Sequence, residues 1–160
     1  MINKISKLFI AFTSILIVSC TTQKTTAPSL PSLIDGDIYT GTESVKYLAD
    51  GVADRVFFAT NKYNISSKGT ETLSKQVNYL KSNPNLNVSL EGHADERGTR
   101  EYNLALGEKR ANAVKDYLIS NGISSARIKV VSYGKEKPVN PASTAAAWSQ
   151  NRRTVTVKIN

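Results

Sequence analysis

Apolar and polar positions alternate in two stretches of the chain. Leu86, Val88 and Leu90 are separated by Asn87 and Ser89, and Val155, Val157 and Ile159 by Thr156 and Lys158. A period of two predicts half-buried strands. Arg55-Val56-Phe57-Phe58 predicts another short strand, and Ile128, Val130 and Val131 mark one more. Between them the period lengthens. Leu73, Val77 and Leu80 fall at i, i+4 and i+7, one face of a helix that Ser66 or Ser67 caps and Asn83-Pro84 stops. A second helix is predicted from about Tyr102 to Ser120, with Leu106, Ala113, Val114, Tyr117 and Leu118 on its apolar face and Asn121-Gly122 ending it. The order β-α-β-α-β-β predicts a two-layer α/β (α+β) sandwich, helices on one face of a mixed four-stranded sheet. The segment PASTAAAWSQNRR before the last strand reads as a loop of small residues that Trp148 anchors by packing.

The first 50 residues follow neither period. Lys4 and Lys7 precede an apolar run of eleven residues, Leu8 to Val18. That run is shorter than the about 20 residues a bilayer span needs, and it suits the core of a signal peptide. It ends in Ile17-Val18-Ser19-Cys20, which resembles a bacterial lipobox, and Cys20 is the chain's single cysteine. The expectation is a signal peptide over 1–19 and a lipidated Cys20 bearing N-acyl and S-diacylglycerol groups. More than one acyl chain makes such anchoring stable. Thr21, in place of an aspartate, implies the outer membrane by analogy with enterobacterial lipoproteins. Residues 20–50 are expected to form a tether, most clearly TTQKTTAPSLPS over 21–32, which has no apolar period; from Leu33 to Asp50 the signal is mixed, with Leu33-Ile34 and Tyr47-Leu48 as candidates to dock on the domain. Thirty such residues reach roughly 100 Å when extended and about 30 Å as a coil. The domain is then expected over 51–160.

Charge changes the picture only modestly. The formal net charge is +8; without Lys4 and Lys7, 19 basic side chains face 13 acidic ones, a balance of +6. That balance favours polyanionic partners through long-range attraction. For a secreted lipoprotein the cell wall and anionic lipid fit this better than nucleic acid, which is not expected as a partner. With one cysteine no internal disulfide is possible, so the fold depends on its core.

The densest chemistry lies in GHADERG, residues 92–98, where His93, Asp95, Glu96 and Arg97 stand between two glycines. As a metal ligand His93 would need two or three partners, and the only thiol is assigned to lipid. As a catalytic base it would need a nucleophile and an orienting acid. Neither set is evident, so no catalytic residue, metal or cofactor other than the covalent lipid is expected; His93 reads as a hydrogen-bonded loop residue. A peptidoglycan hydrolase is the competing enzymatic reading.

The segment from Glu91 through GHADERGTREYNLALGEKRANAV to Lys115 closely resembles the OmpA-like C-terminal domain family, in particular its peptidoglycan-associated lipoproteins. The resemblance continues through Ile128–Pro138 and Ser149–Arg153 and covers roughly residues 53–160. It implies non-covalent binding of peptidoglycan through diaminopimelate, a link between outer membrane and wall that supports envelope integrity and cell division, and a place in the Tol-Pal system with TolB or other Tol or outer-membrane proteins as partners. A wall-binding lipoprotein without a Tol partner is the nearer alternative. The free end of diaminopimelate carries an ammonium and a carboxylate on one carbon. By the resemblance Asp95 takes the ammonium and Arg110 takes the carboxylate bidentately. Arg97 matches a further contact, Leu106 a wall of the pocket, and Arg152 a prominent position without an assigned role. Read without the family, Asp95 and Arg110 are first of all an ordinary ion pair. Gly92 is expected to admit a ligand to the backbone, Gly98 to permit a positive φ, and Asn103 to tie the loop to the helix start. One departure stands out. The family's Phe-Asp-x-Asp is Phe58-Ala59-Thr60-Asn61 here, so Asn61 replaces a second carboxylate and Thr60 replaces an aromatic neighbour.

Overall fold

The computed structural model describes residues 37–42 and 44–159. A small antiparallel hairpin, β1 (Tyr47–Ala49) and β2 (Val52–Ala53), precedes β3 (Arg55–Phe57). Then follow α1 (Ser67–Ser82), β4 (Asn87–His93), α2 (Arg100–Ser120), a 3-10 turn at Ser125–Arg127, β5 (Ile128–Gly134), α3 (Ala145–Asn151) and β6 (Arg153–Ile159). The main sheet has four strands in the order β3-β6-β4-β5. β4 and β5 are parallel, joined by α2, while β6 runs antiparallel between β3 and β4. The mixed two-layer architecture expected from the pattern is the one observed.

Local chemistry sets the helix ends. The Ser66 hydroxyl caps α1 by accepting from the Gly69 N–H at 3.1 Å. Thr99 caps α2 by accepting from Tyr102 N–H at 3.2 Å, so that helix starts two residues before the expected Tyr102. Gly122, at φ +89°, ends it, and Ile123 N–H returns to the Leu118 carbonyl at 3.0 Å.

One core joins both long helices to one face of the sheet. Leu73, Val77 and Leu80 of α1 and Ala111, Val114 and Leu118 of α2 pack with Val56, Phe58, Val88, Leu90 and Ile128. Ala111, not Ala113, is the buried alanine of α2. Gly92 and Gly107 bring α2 onto β4: a Cβ on Gly92 would lie 1.9 Å from the Gly107 carbonyl oxygen. Gly92 therefore meets a helix backbone, not a ligand as expected.

The last strand turns its threonines, not its valines, toward the helices. Thr156 pairs with Leu90 and Thr154 with Val56, so the threonines face the helices and Val155 shares the other face with Arg55 and Glu91. The Thr156 hydroxyl lies 2.8 Å from Gln76 Oε1, and Gln76 Nε2 donates to the Ala53 carbonyl at 2.7 Å. These bonds satisfy Thr156 and Gln76 in that layer.

Two expectations need correction. PASTAAAWSQNRR contains a helix, α3, whose first turn is capped by Thr144 accepting from Ala147 N–H at 3.2 Å. Three successive alanines after a capping threonine are a legible helix start. The tether is also shorter than expected. Ile38 and Tyr39 are buried against Phe57 on the far face of the sheet, with the Tyr39 and Phe57 rings 4.7 Å apart, edge to face. Leu48 is buried, as a docking Tyr47-Leu48 pair anticipates, while Tyr47 is exposed. Residues 37–42 and 44–50 thus include packed parts of the domain. Among the described residues no helix is long and apolar enough to cross a membrane.

Candidate functional site

β4 ends at His93, and the chain turns through Ala94–Thr99 into α2. The turn is built from its own polar groups. The Asp95 carboxylate accepts from Arg97 N–H and Nε at 3.1 Å each and from Arg97 Nη2 at 2.7 Å. Gly98 has φ +93°, as expected, and Asn103 Nδ2 donates to the Arg97 carbonyl at 2.9 Å, fastening the turn to the helix. Lys135 Nζ donates to the Gly98 carbonyl at 2.7 Å from the β5 side.

Asp95 is buried, yet it is an anion. Burial alone would raise its pKa, but hydrogen bonds from the Arg97 side chain and backbone, the Arg97 charge and a bond from Arg152 outweigh burial and hold it below the usual carboxylate value. Its second cation is Arg152, whose Nη1 lies 3.3 Å from Asp95 Oδ2. Arg152 follows α3, is only 2% exposed, and donates from Nε to the Phe58 carbonyl at 2.9 Å. Burial lowers its pKa, opposed by Asp37 and Asp95. The role that the resemblance left unassigned is thus to tie the β4 turn to the end of β3.

Arg110 is fully buried, with all three guanidinium nitrogens engaged by main-chain carbonyls. Nε donates to the Lys62 carbonyl at 2.8 Å, Nη1 to His93 at 2.8 Å and Nη2 to Ala59 at 3.1 Å. Burial, and then the charge of Arg152, push its pKa down to about 10, with Asp95 opposing; it remains a cation at neutral pH. Arg110 forms no ion pair with Asp95 within salt-bridge distance; it organises the three carbonyls beneath the site. A fork with five donors is suited to this because it can serve several acceptors at once. Leu106, one turn earlier on α2, is buried.

The β3 side of the site is Thr60 and Asn61. Arg97 Nη2 donates to Thr60 Oγ1 at 3.3 Å. Asn61 is exposed at φ +56°, a left-handed conformation that asparagine tolerates better than most residues. Trp148 covers Arg97, whose guanidinium carbon lies 4.3 Å from the ring centroid, and its indole N–H donates to Glu96 Oε1 at 2.8 Å. That bond and one from Ser143 hold the Glu96 carboxyl below its usual pKa. Trp148 is a packing anchor as expected, but the element it anchors is the 96–97 turn.

His93 is not a loop residue. It is the last residue of β4, 2% exposed, with its ring 5.5 Å from that of Tyr133. Burial, then the charges of Arg153, Arg55 and Lys137, push its pKa down to about 3, so the ring is neutral at ordinary pH. Among the described residues no three His, Cys, Asp or Glu side chains are grouped to hold a metal ion. Cys20 and the signal segment lie outside the described residues.

Asp37 is the one member of this cluster that sequence reasoning missed. Its carboxylate accepts from Thr60 N–H at 2.8 Å and from the Thr60 hydroxyl, and it pairs with Arg152 Nη2 at 3.2 Å. No local motif marks an aspartate in a presumed tether as part of a site at the far end of β3.

This fold and cluster place the chain among known proteins. The profile of the OmpA family matches residues 57–152, and the chain belongs to that family. The peptidoglycan-associated lipoprotein of Rhizobium meliloti (strain 1021) is 53% identical over 106 residues, 66% of this chain and 60% of that protein. The match thus spans less than two thirds of that relative's length. The peptidoglycan-associated lipoprotein of Mesorhizobium japonicum is 41% identical over 140 residues, covering 88% of this chain and 83% of its own. The crystal structure of the peptidoglycan-associated lipoprotein from Burkholderia pseudomallei superposes with a TM-score of 0.65 at 42% identity, covering 66% of this chain and 90% of that one.

Proposed function

We propose that this chain is an outer-membrane lipoprotein, anchored through Cys20, that binds peptidoglycan non-covalently and links membrane to wall without making or breaking bonds. The observation that carries the reading is Asp95: a buried carboxylate kept ionised at a strand end, beside the half-exposed Arg97, whose side chain is 42% accessible. The free end of diaminopimelate offers an ammonium to Asp95 and a carboxylate to the donors of Arg97, Thr60 and Arg152. Arg110 contributes from beneath by fixing the carbonyls of Ala59, Lys62 and His93, while Leu106 would form a wall of the pocket and Asn61 an uncharged acceptor. Relatives named for their association with peptidoglycan support the same ligand. A single site of modest affinity suffices, because the wall repeats its ligand and the lipid confines the domain beside it. The second part of the proposal, a complex with TolB in a Tol-Pal system serving envelope integrity and cell division, rests on sequence resemblance, and a pull-down with purified TolB reads it directly.

The test is co-sedimentation with purified sacculi. Asp95→Asn keeps the shape of the side chain and removes its charge; pelleting should fall at least about tenfold, a loss of about 1.4 kcal/mol or more. Undiminished pelleting of this variant would exclude Asp95 from the site. Release of soluble muropeptides from the sacculi would favour a hydrolase instead.

A further inference from the structure

The segment before β1 ends on the site just described, and the way it does so resembles a bound ligand. One oxygen of Asp37 collects a backbone N–H and a hydroxyl, both from Thr60, and the Arg152 guanidinium, a donor set suited to any carboxylate. The Arg152 side chain is 3% exposed and cannot turn to another acceptor in solvent. The same guanidinium reaches Asp95 through Nη1, and Arg97 likewise touches both Asp95 and Thr60. A carboxylate held where that of Asp37 lies is therefore adjacent to the anion of Asp95. That is the arrangement an amino-acid terminus requires, its carboxylate in one place and its ammonium beside the other.

Resting on the wall-binding reading, we propose that the Asp37 carboxylate is an internal stand-in for the ligand's carboxylate, and that the wall peptide binds by exchanging with it. Asp37 is one-third exposed and held at its C-terminal side by Ile38 and Tyr39 against Phe57. It can leave the site without disturbing the main core, to which none of these three residues belongs. An occupant in the same chain competes at a high effective concentration. If it fills the subsite in nine molecules of ten, the apparent affinity for an external carboxylate is about tenfold lower than the intrinsic one. The residue thus sets the strength of the wall contact and disfavours ligands that lack a carboxylate to complete the exchange.

The experiment uses the full chain in detergent, titrated calorimetrically with the tripeptide L-Ala-γ-D-Glu-meso-diaminopimelate. Asp37→Asn and Asp37→Ala should each bind about tenfold more tightly than the unmodified chain. In the unmodified chain, hydrogen exchange at residues 37–40 should speed up when the tripeptide saturates. Equal or weaker binding by both variants, or unchanged exchange at 37–40 in the saturated chain, overturns the exchange model while leaving wall binding intact. Failure of the unmodified chain and both variants to pellet with sacculi overturns the wall-binding reading, and this inference with it.

Discussion

The two faces of the sheet are built on different principles. The face beneath α1 and α2 is a mainly apolar layer around Leu73, Leu80, Leu90 and Leu118, all fully buried, interrupted by Gln76 and the threonines of β6. The opposite face buries charge. Arg55 grips the carboxylate of the preceding Asp54 with two bonds of 2.7 Å, Arg153 reaches the Lys137 carbonyl at 3.3 Å, and neutral His93 lies among these cations. An apolar layer gains from burial itself, about 25 cal/mol per Å². A charged layer gains little from burial and is stable only while each partner stays in place and in the right protonation state. The site belongs to the second kind of construction.

Acid should separate the two faces most strongly. Above pH 6.5 His93 is neutral in the folded and unfolded chain alike. Between about pH 3 and 6.5 only the unfolded chain takes up the proton, so folding stability falls as pH falls through that window. The full loss is roughly 5 kcal/mol at its lower edge. Urea denaturation of His93→Leu at pH 7 and pH 5 should show a flatter dependence than the unmodified chain; parallel slopes would remove His93 as the cause. The next largest effect belongs to the other face. Leu90→Ala should cost about 3 kcal/mol at either pH and leave sacculus binding unchanged in the folded chain. A loss that varied with pH would show the faces to be coupled. Arg110→Lys should cost about 2 kcal/mol, because an ammonium cannot serve three separated carbonyls as the guanidinium does. It should also weaken sacculus binding by loosening the rim at Ala59 and Lys62, read as reduced pelleting at a temperature where the variant is folded.

The same division explains what could be read from the sequence. Leu86-x-Val88-x-Leu90 and the Leu73/Val77/Leu80 face marked their elements because burial of apolar groups is periodic, and the motif around Asp95 located the turn. Val155-x-Val157-x-Ile159 marked a strand but not its orientation. Alternation does not say which face meets the helices when Gln76 satisfies Thr156 from across the layer. Arg110 was assigned to the ligand through the family resemblance. Its commitment to three main-chain carbonyls from distant segments leaves no local trace. Asp37 was hidden for the same reason, and α3 was passed over although Thr144 and the alanines after it announced a helix.

The corner where Ile38 and Tyr39 meet Phe57 has a mechanical consequence. If the chain is anchored and binds the wall as proposed, tension entering through residues 37–42 would be delivered beside Thr60, at the corner that would hold the wall, and the leucine-rich interior would stay off the line of force.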